Sequence, residues 1–444
     1  MKVSVAGTGY VGLVSGVCLA EKGHQVTCID IDQAKVDKIN QGIPPIYEDG
    51  LEDLLKKNIQ KTLTATTDLK QAVLDTDLSL IAVGTPFDGD EIDLRYIKAV
   101  AQQIGEVLKD KPTYHMVVVK STVVPGTTDE VVLPILEAAS GKKAGVDFGV
   151  GMNPEFLKEG EAIKDFMDPD RIVYGGIDAK SIQALEELYS VFPNVDKLGT
   201  NCRTAEMIKY TANSLLATMI SFSNEIGNLC AAVGNVDVTE VMKGVHLDKR
   251  LTPILEDGRR IIPSFTTYLE AGCGFGGSCF PKDVKALISY GAKLGNPLEL
   301  LDSVIDINKN QPQRMIDLLK KHIPDLQGVT VAVLGLAFKP GTDDIRESPS
   351  LPVITALLDA GAIVQAYDPI ATHEAQKVFG DRIVFCESLS QVIAGVRAVL
   401  LMTRWPVFKE IPALLSNLAD PPLLVDGRRM LDKASVPNYE GIGL

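Results

Sequence analysis

The sequence predicts an α/β protein with two doubly wound domains joined by a long central helix. Short apolar strands alternate with helical segments up to about residue 199, and the alternation restarts after residue 312. Between them, residues 203–233 contain few helix breakers and carry apolar residues at helical spacing. A chain of 444 residues is also too long for one core. We therefore expect three regions, at 1–199, 200–311 and 312–444.

The first turn of the chain indicates that the first domain binds a dinucleotide. A buried strand at 2–6 leads into Gly7-Thr8-Gly9-Tyr10-Val11-Gly12 and an apolar helix, and a second strand at 25–29 ends at Asp30. In this arrangement the glycines let the backbone approach a pyrophosphate, which rests on the helix N-terminus. Asp30 would accept hydrogen bonds from the adenosine ribose and repel a 2′-phosphate, which favours NAD over NADP. The alternative is a glycine-rich turn without a ligand.

Further polar turns follow predicted strands of the same domain. Gly84-Thr85-Pro86 follows the strand at 78–83, Ser121-Thr122 follows 116–119, and a turn that begins at Asn153 follows 146–150. The carboxyl ends of parallel strands form the edge where open sheets bind ligands. We expect nicotinamide and substrate at this edge of a Rossmann-like domain.

The last region predicts a second Rossmann-like domain with a different ligand. Its first strand, at 329–335, leads into Gly335-Leu336-Ala337-Phe338-Lys339, which does not match the dinucleotide motif. A second dinucleotide is therefore not expected. Four basic residues could instead meet a nucleotide or a phosphate: Lys339, Arg346, Arg428 and Arg429.

A cysteine at a helix start is the candidate nucleophile. The segment Gly274-Phe275-Gly276-Gly277-Ser278-Cys279-Phe280-Pro281-Lys282-Asp283 places Cys279 just before a helix, because proline is tolerated in the first turn. Backbone N–H groups and the helix dipole favour thiolate there. Asp283 lies one turn further on, where it could hold or activate a water. The alternative is a small buried hydrophobic residue in a tight loop.

Composition excludes several classes of partner. The net charge of −14 argues against nucleic acid and against an anionic membrane surface. No apolar run reaches the ~18 residues of a membrane helix, and the first residues enter a strand without a signal-like segment, so we expect a cytoplasmic protein. The seven cysteines include no CxxC pair, which favours neither a disulfide framework nor a metal cluster.

Six ordered motifs carry a resemblance that covers essentially the whole chain. They are GTGYVG at 7–12, NPEFLKEG at 153–160, AEMIKYTAN at 205–213, GFGGSCFPKD at 274–283, FKPGTDDIRES at 338–348 and DGRR at 426–429. With them the chain resembles the UDP-glucose/GDP-mannose dehydrogenase family, which oxidises a sugar-nucleotide alcohol twice to an acid. The resemblance implies that one NAD⁺ oxidises the hydroxymethyl group to an aldehyde, which Cys279 traps as a thiohemiacetal. A second NAD⁺ then gives a thioester, which water hydrolyses.

The resemblance also implies roles for individual residues. Lys209 and Asn213 would donate to an oxygen that gains negative charge, Thr122 and Glu155 would orient water and handle protons, and Asp283 would activate the hydrolytic water. The expected catalytic residues are Cys279, Lys209, Asn213, Asp283, Thr122 and Glu155. The expected cofactor contacts, from motif and resemblance together, are Gly7, Gly9, Tyr10, Val11, Gly12, Asp30, Gly84, Thr85, Thr122, Glu159 and Arg346. The expected substrate contacts are Glu155, Phe156, Leu157, Lys209, Asn213, Arg250, Tyr268, Leu269, Gly274, Phe275, Gly276, Lys339 and Arg428.

The choice of sugar nucleotide stays open between relatives within the family. The segment 140–148 resembles GDP-mannose enzymes, whereas 402–408 and 426–429 resemble UDP-glucose enzymes. The expected reaction converts UDP-glucose to UDP-glucuronate, with GDP-mannose and UDP-N-acetylmannosamine as alternatives. A two-electron hydroxyacid dehydrogenase and a non-enzymatic NAD-binding protein are rivals from other classes. The length of the central helix suggests a homodimer.

Overall fold

The computed structural model describes all 444 residues and divides them into two compact units, 1–212 and 213–444. The strands of the first unit are β1 (Lys2–Ala6), β2 (Gln25–Ile29), β3 (Leu63–Thr66), β4 (Leu78–Ile81), β5 (His115–Val119), β6 (Phe148–Met152), β7 (Ile172–Gly176) and β8 (Lys197–Thr200). Its helices are α1 (Tyr10–Glu21), α2 (Gln33–Asn40), α3 (Leu51–Asn58), α4 (Leu69–Asp75), α5 (Arg95–Asp110), α6 (Leu133–Ser140), α7 (Ala162–Met167) and α8 (Ala179–Leu188). A π-helical turn at Thr128–Val132 precedes α6.

Helix α9 (Cys202–Val233) begins in the first unit and continues into the second. The remaining helices are α10 (Val238–His246), α11 (Phe280–Lys293), α12 (Glu299–His322), α13 (Ser350–Asp359), α14 (Thr372–Phe379), α15 (Leu389–Ile393) and α16 (Ile411–Ser416). The strands of the second unit are β9 (Thr330–Leu334), β10 (Ile363–Tyr367), β11 (Val384–Phe385), β12 (Ala398–Leu401), β13 (Leu423–Asp426) and β14 (Tyr439–Gly441). The predicted region boundaries at 199/200 and 311/312 stay a prediction.

Both sheets have the doubly wound topology, which confirms the predicted fold class. The first sheet has the strand order β3-β2-β1-β4-β5-β6-β7-β8, and the second has β11-β10-β9-β12-β13-β14. In each sheet the strand order reverses beside the first strand, at β1/β4 and at β9/β12, where such sheets form their ligand crevice. All pairings are parallel except β6 with β7. The burial of the central strands fits this parallel pairing. Every residue of β4 and β12 is buried, so both faces of these strands are covered.

Sequence reasoning missed or displaced a few elements. β3, β7, β8 and β14 were not predicted. β3, β8 and β14 have only three or four residues and β8 is partly exposed, which leaves little periodic signal, and β7 ends in two glycines. The strand predicted at 146–150 begins two residues later, since Gly145 has a φ of +83° and Val146 is exposed. None of the sixteen helices has the length and apolar character needed to span a lipid bilayer.

Candidate active site

The GTGYVG turn of the first unit leaves room for a ligand beside its backbone. Gly7 has a φ of +102°, and a Cβ there would lie 2.6 Å from the carbonyl oxygen of Ala82. A Cβ on Gly12 would lie 1.9 Å from the Gly7 oxygen, so α1 can pack against the turn only without a side chain. Gly9, in contrast, faces open space, and no side chain caps α1. The turn therefore offers uncapped N–H groups to a pyrophosphate, and its residues fit a dinucleotide.

Asp30 lies at the end of β2 and next to the same turn. Its carboxylate accepts hydrogen bonds from the Thr8 hydroxyl, from the Thr8 N–H at 2.9 Å and from the Asp32 N–H at 3.0 Å. Burial raises the pKa of Asp30, but these hydrogen bonds outweigh burial and lower the pKa overall. The side chain is thus a partly exposed anion, as ribose recognition requires.

A buried ion pair joins two predicted catalytic residues of the first unit. Lys209 Nζ lies 3.7 Å from Glu155 Oε1, and both side chains are buried. The other carboxylate oxygen of Glu155 accepts the Leu157 N–H at 2.8 Å. The Phe156 ring centroid lies 5.4 Å from Lys209 Nζ. A carboxylate and an ammonium held together out of water can exchange a proton with a bound hydroxyl.

Sequence reasoning missed a second buried lysine next to this pair. Lys120 follows β5, and its Nζ donates to Asn153 Oδ1 at 2.9 Å. Burial lowers the pKa of Lys120 to about 8, the Glu155 carboxylate opposes this shift, and Lys209 adds to it. The sequence signal that could have identified Lys120 is a charged residue directly after an apolar strand. The residue types alone could not show that its ammonium would be buried.

Glu48 is a further residue that the sequence did not reveal. Its buried carboxylate accepts the Tyr10 hydroxyl, the Gly160 N–H at 2.7 Å and the Ala162 N–H at 2.7 Å. It thereby ties the loop after β6 to the start of α1. No local pattern in its loop would have predicted this role, because all three donors are distant in sequence.

Cys279 of the second unit lies at the N-terminus of α11, as predicted. It is the residue before the helix, and its carbonyl accepts the Asp283 N–H at 2.8 Å. Six of the seven cysteines are buried, and Cys279 alone is partly exposed. The Phe280 ring, which follows it, lies 6.0 Å from Phe275 and 6.3 Å from Tyr268, centroid to centroid. The accessible thiol therefore sits beside an aromatic cluster.

Asp283 and Asn213 are brought together by the fold of the second unit. Asn213 Nδ2 donates to Asp283 Oδ2 at 2.6 Å, and Lys282 Nζ donates to Asp283 Oδ1 at 2.6 Å. Asp283 is 1% exposed. Each carboxylate oxygen keeps a second lone pair that can accept from a water. The spacing of 70 residues gave no indication of this contact.

The side chains of Asn308 and Arg428 hold the glycine segment that precedes Cys279. Asn308 accepts the Phe275 N–H at 2.7 Å and donates to the Phe275 carbonyl at 2.9 Å. Arg428 Nη1 donates to the Gly274 carbonyl at 2.9 Å. A Cβ on Gly276 would lie 2.2 Å from the Glu347 carbonyl oxygen. Gly276 therefore packs against the loop 338–347, a role that the sequence did not suggest.

The structure shows the partners of three basic residues with predicted ligand roles. The Arg429 side chain is 5% exposed and binds both carboxylate oxygens of Asp237 at 2.9 Å. Arg429 also borders a cavity of the second unit, and its role toward a nucleotide or phosphate stays a prediction. Arg346 pairs with Asp344 at 2.7 Å, and the exposed Arg250 pairs with Asp248. Their ligand roles stay predictions, as do those of Glu159, Leu269 and Lys339.

A cavity of about 440 Å³ opens in the second unit, and Arg404 and Arg429 form part of its wall. Arg404, which lines it, donates to the Arg428 carbonyl and forms an ion pair with Glu270. The remaining wall includes Lys243 and Arg260. Its volume is within the range of small-ligand sites, and its cations suit an anionic ligand.

The corresponding turn of the second Rossmann-like domain is closed by an aspartate. Asp368 Oδ2 accepts the N–H groups of Leu336 at 2.7 Å and Ala337 at 3.1 Å, and also the Trp405 indole N–H at 3.1 Å. Asp368 is 3% exposed, unlike the partly exposed Asp30. The N–H groups that would meet a pyrophosphate are occupied by this carboxylate.

Comparison with known proteins places the chain in a family. Three models of the UDP-glucose/GDP-mannose dehydrogenase family match it: the NAD binding domain at 1–193, the central domain at 203–310 and the UDP binding domain at 332–433. A UDP-glucose 6-dehydrogenase of Haloferax volcanii is 41% identical over the full length of both chains. The chain belongs to the UDP-glucose/GDP-mannose dehydrogenase family. Like other members, it is an NAD-dependent oxidoreductase, and NAD is its cofactor.

Other relatives of the chain are named for different substrates. A GDP-mannose 6-dehydrogenase of Pseudomonas aeruginosa is 44% identical over 83% of this chain and 81% of its own. The structure of a UDP-glucose dehydrogenase from Pyrobaculum islandicum superposes with a TM-score of 0.90 at 39% identity, and covers 100% of this chain and 97% of the other. The family resemblance predicted from the motifs is therefore confirmed.

Proposed function

We propose that this family member oxidises UDP-glucose to UDP-glucuronate through a thioester on Cys279. The observation that carries the proposal is the pairing of an accessible thiol with a buried carboxylate one helical turn away, where Asn213 holds Asp283 at 2.6 Å. A dehydrogenase that stops at the aldehyde needs neither group. A four-electron enzyme needs both, one to retain the aldehyde and one to activate water.

The first oxidation uses the charged pair of the first unit. Glu155 takes the proton of the C6 hydroxyl, and Lys209 and Asn213, four residues apart on α9, donate hydrogen bonds to the oxygen. NAD⁺, when bound at the GTGYVG turn, supplies the hydride acceptor for both oxidations. The product of this step is an aldehyde at C6.

Cys279 and Asp283 perform the second half of the reaction. The Cys279 sulfur adds to the aldehyde carbon and forms a C–S bond, and the oxygen gains a proton, which gives a thiohemiacetal. Loss of a second hydride and of that proton leaves a thioester. Asp283 then takes a proton from water, the water oxygen attacks the carbonyl carbon, and the C–S bond breaks to release the acid and the thiol. The intermediate stays covalently bound throughout.

Two arguments support UDP-glucose over GDP-mannose. The sequence alignment with a UDP-glucose 6-dehydrogenase covers 100% of this chain, whereas the alignments with two GDP-mannose 6-dehydrogenases cover 83% and 87% of it. The carboxyl-terminal domain also matches a UDP binding model. The cavity lined by Arg404 and Arg429 is the candidate site for the nucleotide end of the substrate. GDP-mannose remains the second candidate, because its dehydrogenases are equally similar in the matched region.

A stoichiometric assay tests the proposal. UDP-glucose, GDP-mannose and UDP-N-acetylmannosamine are supplied separately with excess NAD⁺, and NADH is counted per sugar consumed. Two NADH per sugar with UDP-glucose, and no turnover with the others, is the expected result. Two NADH with GDP-mannose alone would replace the substrate but keep the mechanism. One NADH per sugar would exclude the four-electron reaction.

We also infer that the protein forms a homodimer through α9. Leu215, Phe222 and Leu229 are exposed and lie seven residues apart on this helix, so they form one apolar stripe. A second copy of the same stripe would cover it. Analytical ultracentrifugation should give a dimer, and Phe222→Glu should give a monomer. A monomeric wild-type protein would contradict this inference.

A cytoplasmic location is part of the same proposal. No disulfide bond joins any two of the seven cysteines, and the proposed chemistry requires the Cys279 thiol in its reduced form. Such thiols persist in a reducing compartment. Fractionation of the host cell should recover the protein with cytoplasmic markers rather than with the envelope.

A further inference from the structure

Glu206 is a buried carboxylate to which the proposed reaction gives no role. It lies in the second turn of α9, three residues before Lys209, and is 0% exposed. Its oxygens accept three hydrogen bonds: from the Gly126 N–H at 2.6 Å, the Thr128 N–H at 2.9 Å and the Thr128 hydroxyl at 2.7 Å. All three donors belong to the segment that follows β5. The carboxylate therefore connects this segment to the helix of Lys209.

The connected segment carries Thr122. At its start, Thr85 Oγ1 donates to the Thr122 carbonyl at 2.8 Å, and Ser121 Oγ donates to the Val83 carbonyl at 2.7 Å. At its end, Gly126 has a φ of +93°, a backbone conformation that side chains disfavour. The loop is thus fixed to the strand edge on one side and to α9 on the other, and Glu206 makes the second attachment.

The attachment depends on the charge of Glu206. Three donors point at it, so an ionised carboxylate satisfies all of them, whereas a protonated one would direct its own O–H at a donor. Burial raises the pKa of Glu206 to about 7, and the hydrogen bonds from Thr128 and Gly126 oppose that shift. A neighbouring carboxylate, Asp129, raises the pKa further.

The other ionisable groups around Glu206 come from the same two elements. On the π-helical turn these are Asp129 and Glu130, and both pair with Arg203 of α9. On α9 itself, Cys202 interacts electrostatically with Glu206, and burial raises the pKa of its thiol. Arg203 is more than half exposed and already neutralised by its two partners. Lys209, the buried cation one turn further along α9, pairs with Glu155 instead, so the charge of Glu206 depends on the three hydrogen bonds.

We propose that Glu206 is a positioning residue whose ionised carboxylate fixes the Thr122 loop to the helix that carries Lys209. The proposal rests on the roles given above to Thr122 and Lys209. Protonation of Glu206 removes an acceptor and releases the loop. The oxidation rate therefore falls with pH below about 7, while affinity for the sugar nucleotide is unchanged.

The test compares Glu206→Gln with Glu206→Asp and with the control Glu130→Gln. Glu130 belongs to the adjoining segment, is mostly exposed and loses the same charge. For each variant, kcat and KM for UDP-glucose are measured from pH 5.5 to 9, with thermal unfolding as a check on folding. We expect Glu206→Gln to lower kcat at least tenfold, to leave KM within twofold and to flatten the acidic limb of the kcat profile. Glu206→Asp should restore the limb, and Glu130→Gln should behave as wild type.

A milder variant covers the case in which Glu206→Gln does not fold. Thr128→Val removes one of the three hydrogen bonds, which raises the pKa of Glu206, so the acidic limb should move to higher pH. An unmoved limb in Thr128→Val, or a wild-type profile in Glu206→Gln, would overturn the proposal. Proportional loss of activity and folded protein, with an unchanged profile in the surviving fraction, would also overturn it.

Hydrogen exchange separates this inference from the proposed function. If the wild-type protein does not turn over UDP-glucose, the proposed function fails, but the loop can still be measured. Peptides that cover residues 120–128 should exchange at least tenfold faster in Glu206→Gln than in wild type at pH 8, and at the wild-type rate in Glu130→Gln. Equal exchange in all three proteins would refute the attachment itself.

Discussion

Replacement of Asp283 by asparagine should separate the two halves of the reaction. The carboxylate is 1% exposed and is held by Asn213 and Lys282, each at 2.6 Å. The amide removes the proposed base and directs an N–H₂ group at one of these donors. General-base catalysis contributes about 10²–10⁴-fold, or about 3–5 kcal/mol of activation free energy. We expect thioester hydrolysis to slow by this factor, while both oxidations, which precede it, continue.

Stopped-flow measurement of NADH provides the assay. Asp283→Asn should release a burst of two NADH per active site, followed by a slow phase limited by hydrolysis. Mass spectrometry of the quenched protein should then find the acyl group on the peptide that contains Cys279.

A matched variant controls for disruption of the local hydrogen bonds. Lys282→Met removes one partner of Asp283 but keeps the carboxylate, so hydrolysis should slow less than tenfold. A linear NADH trace for Asp283→Asn with kcat within threefold of wild type would refute the role of Asp283 as the base. An acyl group on another cysteine would refute the role of Cys279.

Three further perturbations test the energetics of the fold and site. Asp237→Ala leaves the Arg429 guanidinium buried without its partner, so urea unfolding should show a loss of about 3–5 kcal/mol. Lys433→Met removes only the exposed partner of Asp237 and should leave the urea midpoint close to that of wild type, and equal losses in the two variants would contradict this reasoning. Burial lowers the pKa of Lys120 to about 8, so between pH 8 and 10 the unfolded chain binds more protons than the folded one. The free energy of unfolding of the wild-type protein should therefore rise relative to that of Lys120→Met across this window. A difference between the two proteins that stays constant with pH would contradict the lowered pKa. Gly276→Ala places a Cβ 2.2 Å from the Glu347 backbone oxygen of the neighbouring loop. KM for UDP-glucose should therefore rise at least tenfold, while NAD affinity, measured by fluorescence titration, should stay within twofold of wild type. A KM equal to that of wild type would contradict the predicted effect of this clash on substrate binding.

The sequence by itself determined the fold class and the cofactor, and it placed the proposed nucleophile at a helix start. Each depends on residues that are close together in the chain. GTGYVG with its flanking strands specifies the dinucleotide turn, because backbone conformation and helix start are local properties. Pro281 and the apolar spacing after it likewise predicted that Cys279 lies at a helix N-terminus. In the structure Cys279 directly precedes the first residue of α11.

Only the tertiary structure decided how charged side chains are paired and buried. Asn213 meets Asp283 across 70 residues, and Glu206 meets Gly126 across 80. DGRR predicted two ligand-binding arginines, but nothing in that motif indicated that Arg429 would pair with Asp237, 192 residues away. Lys120 gave no sign of its burial. Such partners are chosen by the packing of distant segments, and the charge state of each side chain depends on the low-dielectric surroundings which that packing creates.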